Sequence, residues 1–231
     1  MASNLIKAKN IETAKVTSSE PKVLDNGSKL VYVNYLGGRF NVQTSWMELP
    51  WDMSCYDEGP YPKYNIELSF RGHEDNEDLN KTLIKFKELD EKIIDLGVSK
   101  SVQLFKKKTS SREVIEGHYS RMVRYSIDKE TGEINHSFPP SLKIKIPCKD
   151  NVFDVKLFKK GQKEACDIND PESHNRIGNL LVKKAKVRCI LQCVGLWIAS
   201  GNYMCQWKLL KAEVDVPETT NCDFIPDSDE E

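Results

Sequence analysis

Five aromatic residues crowd one short stretch of this chain: Trp46, Trp51, Tyr56, Tyr61 and Tyr64. Pro50, Gly59, Pro60 and Pro62 run among them and forbid regular strand pairing through most of the stretch. A loop of this make-up cannot enclose all of its rings in a core. Some pin it to the body of the protein, and the remainder are free to stack on flat apolar partners such as unpaired nucleobases, at about 1–3 kcal/mol per stack. Trp197 and Trp207 differ. They share strand parity with apolar neighbours and are expected in the core.

Cations are the second ingredient. Lys184, Lys186, Arg188 and Gln192 fall on one parity, and Ala185, Val187, Cys189, Leu191 and Cys193 on the other, which predicts a strand with a basic outer face over an apolar inner one. Lys143 and Lys145 oppose Leu142, Ile144 and Ile146 in the same way. Arg121 and Arg124 flank Tyr125, and Lys106, Lys107 and Lys108 form a basic loop. Alternating Lys and Arg alone is what any half-exposed strand shows. Beside an aromatic loop, it suits a ligand that offers both phosphates and base faces. All these residues are therefore candidate nucleic-acid contacts.

Enzymatic chemistry finds no comparable support. The four histidines, His73, His118, His136 and His174, are scattered without triad or zinc-protease spacing. There is no phosphate-binding glycine loop or dinucleotide fingerprint, and Gly37-Gly38 reads as a turn. The expectation is a protein without catalysis or cofactor. Cys189 and Cys193 share a face with Leu191 and read as core thiols before metal ligands. Cys205 on the next strand leaves a zinc site open, although no metal site is assigned. Seven irregularly spaced cysteines suit reduced thiols in an intracellular compartment. No apolar run approaches a membrane span, and no apolar block follows Lys7 and Lys9 as in a secretory signal.

The elements that must position these residues are mostly strands. A weakly ordered segment over 1–28 is expected before a hairpin through Leu30–Tyr35 and Phe40–Thr44. Further strands are predicted at Tyr64–Phe70, Ser120–Ile127, Leu142–Ile146 and Phe153–Phe158. The last and longest pair is predicted over Leu180–Ala199 and Tyr203–Val214. One amphipathic helix follows, capped by Asn76 or Asp75, with Leu79, Leu83, Phe86, Leu89 or Asp90, and Ile93 at helical spacing and Gly97 as its C-terminal cap. This is a mainly β (α+β) chain: a partly open β-barrel with an inserted helix. The body is assigned to 29–211, and an acidic disordered tail to 212–231. The net charge of −1 conceals this division. Eight acids and no Lys or Arg lie in 212–231, so the remaining residues carry 34 basic against 27 acidic side chains. An acidic tail on a basic body either solubilises the chain or competes with a polyanion for the body.

The order Trp46-x-x-x-Pro50-Trp51, then Tyr56-Asp57-Glu58-Gly59-Pro60-Tyr61-Pro62-Lys63-Tyr64, then a helix, then Leu196-Trp197-Ile198-Ala199-Ser200-Gly201 and Trp207-Lys208 before an acidic end, resembles a known family. This is the single-stranded-DNA-binding proteins of nucleo-cytoplasmic large DNA viruses, related to the T7-phage-type single-strand binder. The resemblance covers about Lys29 to Glu231. It implies an OB-fold and sequence-tolerant coating of single-stranded DNA in replication, recombination and repair, in the host cytoplasm or nucleus. It also implies a tail (Asp223, Phe224, Asp227, Asp229, Glu230, Glu231) that contacts polymerase or helicase, guards the DNA groove and leaves a homodimer open. Phage members end on an aromatic residue. This chain ends Asp229-Glu230-Glu231, with Phe224 seven residues inside. Two other readings stand beside this one: an RNA- or duplex-binding regulator on a similar barrel, and a protein-interaction module working through its acidic tail.

Overall fold

The computed structural model describes residues 4–59, 61–105 and 111–217. Strands come first: β1 (Asn4–Lys7), β2 (Val16–Ser18), β3 (Lys22–Val23), β4 (Lys29–Val31), β5 (Val33–Tyr35), β6 (Gly38–Gln43), β7 (Met47–Glu48), β8 (Ser54–Tyr56) and β9 (Lys63–Ser69). Helices α1 (Glu77–Ser99), α2 (Ser101–Phe105) and α3 (Arg112–Gly117) follow. Then come β10 (Tyr119–Ser120), β11 (Val123–Arg124), β12 (Ser141–Ile146), β13 (Cys148–Lys149), β14 (Val152–Phe153), β15 (Lys156–Lys159), the short α4 (Ile177–Leu180), and the long strands β16 (Lys186–Ala199) and β17 (Asn202–Asp215). The chain is mainly β, and no helix among the described residues is long and apolar enough to cross a membrane.

The large mixed sheet closes on itself. β7 pairs with β9 at Glu48 and Ser69, and β9 pairs antiparallel with β12 from Ser69–Ser141 to Tyr64–Ile146. β12 meets β17 in parallel at Lys145 and Lys208, and β17 runs antiparallel to β16 along nearly its whole length. β16 returns to β6 and β7 at Gln192–Asn41 and Val187–Met47. Counting β6 and β7 together as first, the ring reads first, second, third, fifth, fourth, first. Every pairing in it is antiparallel except third with fifth.

Strand alternation fills the ring. Ile66, Leu68, Leu142, Ile144, Ile146, Val187, Leu191, Trp207 and Leu209 all point inward and are buried. Helix α1 covers one end. The Asn76 side chain accepts the Leu79 N–H at 3.0 Å, and Glu77 and Asp78 occupy the first turn, where the helix dipole favours acids. Phe86 of its apolar stripe meets Trp207 edge to face, with centroids 5.5 Å apart. Gly97 does not cap the helix, which continues to Ser99. A Cβ there would lie 2.7 Å from the Tyr203 hydroxyl, so glycine serves close packing at this position.

Residues 4–23 were expected to be weakly ordered but carry three short strands. Their partners are remote: β1 lies parallel to β6, β2 pairs with β5 and β3 with β4. β17 also runs to Asp215, so Glu213 and Asp215 belong to the sheet and not to the tail. The expected strand over Ser120–Ile127 is interrupted. Met122 turns inward between β10 and β11, and its sulfur accepts the Trp207 indole N–H at 3.0 Å.

One buried carboxyl group fixes α1 to this interruption. Asp90 accepts the Tyr119 hydroxyl at 2.7 Å, the Met122 N–H at 2.8 Å and the Val123 N–H at 3.2 Å. Burial lifts its carboxyl above the ordinary aspartate range, against the pull of these donors. A folded pKa above the unfolded one means that folding favours the protonated form. Its contribution to stability is complete below the unfolded pKa and is lost as pH rises through the folded one. Asp90→Asn removes that term. The stability of the wild type relative to Asp90→Asn should therefore fall as pH rises from about 4, measured as urea midpoints over a pH series. A constant difference would show that Asp90 does not titrate in that window.

Candidate nucleic-acid interface

The loop between β7 and β9 is aromatic and anchored. Leu49 N–H donates to Ala185 O at 2.9 Å, Lys184 N–H to Leu49 O at 2.8 Å, and Met53 N–H to Leu181 O at 2.9 Å. The Lys183 N–H donates to the Asp52 carboxylate at 2.7 Å. These bonds hold the backbone while three rings project. Trp51 is 59% exposed, Tyr56 50% and Tyr61 75%. Lys183 Nζ lies 5.1 Å from the Trp51 centroid, and Lys63 Nζ 5.9 Å from that of Tyr56. Ammonium groups beside ring faces keep those rings in a positive field that also suits a phosphate chain.

Next to this loop lies the outer face of β9, β12 and β17. Register places Ser54, Asn65, Lys145 and Lys208 in one row across four strands. Lys143 stands opposite Glu67, and Arg124 opposite Ser141. Beyond their contact at Lys145 and Lys208, β12 and β17 part. The cleft between them is rimmed by Arg121, Arg124, Lys143 and Lys145 on one side and by Met204 and Gln206 on the other, with Met122, Leu142, Ile144 and Trp207 beneath. Lys63, Arg124, Lys143, Lys145, Lys183 and Lys208 have no ion pair among the described residues. These cations are not neutralised from within.

A different face holds Trp46 and Arg188. They belong to the β6–β16 side of the ring, and their charges are matched internally. Arg188 pairs with Glu213, and Lys160 with Asp215 at 2.7 Å. Arg188 Cζ and Lys160 Nζ lie 5.2 and 5.8 Å from the Trp46 centroid. The Glu213 carboxyl is held below its ordinary range by the Gly161 N–H and then by Arg188. Lys186 stands across from Asp215. Lys184 is exposed just before β16, with a φ of 69°.

The structure thus sets Lys143, Lys145 and Arg124 on the outer face of β11 and β12, with the loop that carries Trp51, Tyr56 and Tyr61 joined to it through β8 and β9, and sets Trp46 and Arg188 on the β6–β16 face; Lys186 stands between the two, in register with Glu48 of β7 and Asp215 of β17. Arg121 reaches the cleft but also pairs with Glu91 at 2.7 Å and with Glu116. Tyr64 turns inward and meets Phe153 edge to face at 4.9 Å. Tyr125 is half-buried, with Lys87 Nζ 5.3 Å from its centroid. Lys106, Lys107 and Lys108 lie outside the described residues, as do Asp223, Phe224, Asp227, Asp229, Glu230 and Glu231.

Sequence reasoning missed Lys63, Lys183, Lys208 and Gln206 on this surface, and the outward position of Trp197. Lys208 and Gln206 occupy the polar parity of β17, the same signal that identified Lys143 and Lys145. Trp197 was expected in the core but is half-buried on the outer side of β16, across from Met204 and Leu30. Its signal was Gly195, a glycine inside a strand pattern, which marks a bulge.

Cys193 and Cys205 face each other in the core with sulfurs 3.5 Å apart, and burial alone pushes the Cys189 thiol up to about 12. Thiols so shielded are poor nucleophiles and poor metal ligands. Among the described residues, no group of three or more His, Cys, Asp or Glu side chains is placed to hold a metal ion.

No family model matches this sequence, and no curated protein matches it. Solved structures similar to this chain include the single-stranded DNA-binding protein from bacteriophage Enc34 in complex with ssDNA. That match has 12% identity and a TM-score of 0.47, over 87% of this chain and 96% of that one. A C-terminal truncation of the same phage protein gives 11% identity and 0.46 over the same shares. A further structure of it gives 15% and 0.40, over 92% of this chain and 98% of that one. At these identities and scores the likeness decides neither fold nor function.

Proposed function

We propose that the five-membered ring is an OB fold and that it binds single-stranded DNA without sequence preference. The observation that carries this is one surface where exposed Trp51, Tyr56 and Tyr61 adjoin the unpaired cations Lys143, Lys145, Lys208 and Arg124. Rings supply affinity that tolerates any base, because every base has a π-face, and cations follow the phosphate chain. The strand order supports the fold reading, since a five-stranded Greek-key barrel uses its second and third strands and the loop between the first and second for oligonucleotides. Here those parts are β9, β12 and the Trp51–Tyr61 loop.

In this reading the protein is a non-enzymatic coat for single-stranded DNA exposed in replication, recombination and repair. The acidic residues beyond Pro217 contact replication partners such as polymerase or helicase and guard the groove.

Fluorescence anisotropy with labelled oligo-dT, competed by unlabelled duplex DNA and by single-stranded RNA of equal length, tests the ligand class. Tight binding with poor competition by both supports single-stranded DNA. Equal competition by RNA moves the reading to a general single-strand or RNA binder, because only the 2′-hydroxyl separates the two. Absence of binding at low salt, by the full chain and by one ending at Pro217, removes nucleic acid altogether. Within the first outcome, Trp51→Ala and Tyr56→Ala should each weaken binding by about 1–3 kcal/mol and leave the salt dependence unchanged. A changed slope would mean that these rings act through neighbouring Lys63 and Lys183.

A further inference from the structure

The basic face ends at the row Ser69, Ser141 and Arg124, and a second cleft opens there. The chain leads into it from each of these positions: past Ser69 to Arg71, back from Ser141 to Pro140 and Phe138, and on from Arg124 to Tyr125. Lys87 of α1 closes the far side. The cleft measures about 460 Å³, within the ~300–1,000 Å³ of small-molecule sites, so a nucleobase has room in it.

Its chemistry repeats that of the first loop. Phe138 is 53% exposed on a segment whose backbone is tied down. Asn135 N–H donates to Ser126 O at 2.8 Å, Ser137 N–H to the Asn135 side chain at 3.0 Å, and Phe70 N–H to Pro140 O at 2.9 Å. A large ring held out by an ordered backbone is a preformed stacking surface, with little ordering entropy left to lose on binding. Lys87 is exposed and has no ion pair among the described residues, and it already rests over Tyr125. Arg71 bonds to Glu48 at 3.3 Å, yet its side chain remains 64% exposed. Glu74 is the one acid among the lining residues described.

We infer that this cleft is a second stacking station for the same single strand: one base packs against Phe138 beside the Tyr125–Lys87 pair, and Lys87 and Arg124 face its phosphates. The inference rests on the proposed function and extends it, because it lengthens the footprint beyond the barrel face. Continuity with the basic face, the exposed ring of Phe138 and the unpaired ammonium of Lys87 identify the occupant as the next stretch of the bound strand.

Phe138→Ala, made in the full chain, tests it with oligo-dT of about 6 and about 16 nucleotides, the span of site sizes seen on single barrels. Affinity for the longer oligonucleotide should fall about tenfold while that for the shorter is unchanged. Phe138→Trp should restore the longer one. Unchanged affinity for both lengths, with the wild type binding, overturns the second station and leaves the barrel face intact. An equal loss at both lengths also overturns it, since Phe138 would then act on the first site. A wild type that binds neither oligonucleotide overturns this inference together with the proposed function.

Discussion

Converting both Lys143 and Lys145 to glutamate should lower affinity for oligo-dT by about a hundredfold at about 0.1 M salt. Each phosphate neutralised on a single strand contributes a slope of ~0.7 in log affinity against log salt. Between about 1 M and about 0.1 M salt, one contact therefore adds ~0.7 of a decade. The double variant removes two contacts and places two repulsive charges in their stead, which brings the loss to two decades or more. The slope itself should fall by ~1.4 or more. Both side chains project from the outer parity of β12, so their exchange leaves the inward row of Leu142, Ile144 and Ile146 untouched. The paired control is Lys160→Gln with Arg188→Gln. Arg188 already has Glu213 as its partner, and Lys160 has Asp215. Releasing cations that are neutralised from within should change affinity less than about threefold. A larger loss in the control than in the β12 variant would move the interface to the β6–β16 face, around Trp46.

What the sequence displayed and what it concealed divide along a physical line. Local signals were legible. Asn76 caps α1 as its type predicts, the alternation in β12 and early β16 gives the true inner and outer faces, and the aromatic loop is a loop because its prolines prevent pairing. Long-range pairings were not. Asn4 to Lys7 offers only Leu5 and Ile6 between polar neighbours, too short a run to signal a strand, yet it forms one because β6 offers it an edge. Ring closure rests on a parallel contact between Lys145 and Lys208, which no local pattern encodes. The division of cations into free and neutralised sets was equally out of reach. Lys143 and Arg188 follow the same alternation, and only the register of β17 shows that Glu213 lies across from Arg188. Trp197 is the case where a local signal is present: Gly195 interrupts the alternation of β16 and turns the residues after it to the opposite faces.

That glycine carries the largest expected effect on stability. Odd-numbered residues of β16 point inward up to Cys193, and after the register shift between Cys193 and Gly195 the even-numbered Leu196 and Ile198 do so. One extra residue exchanges the two faces, as period-two alternation requires. Gly195 makes the exchange possible with a φ of 129°, which side-chain-bearing residues rarely adopt, and with the Val31 carbonyl pressed against it. A Cβ at Gly195 would sit 2.3 Å from that oxygen, and a backbone atom of β4 cannot rotate aside. Gly195→Ala should therefore cost on the order of 3–5 kcal/mol, combining backbone strain with overpacking. The measurement is the urea midpoint at unchanged m-value. Gly178→Ala is the control: a Cβ there meets nothing within 4 Å and the residue lies in α4, so the change should be neutral or slightly stabilising. Should Gly195→Ala lose less than about 1 kcal/mol, β4 must shift to admit the methyl group. Trp197, whose outward position depends on the bulge, would then report the shift by altered accessibility to an aqueous fluorescence quencher.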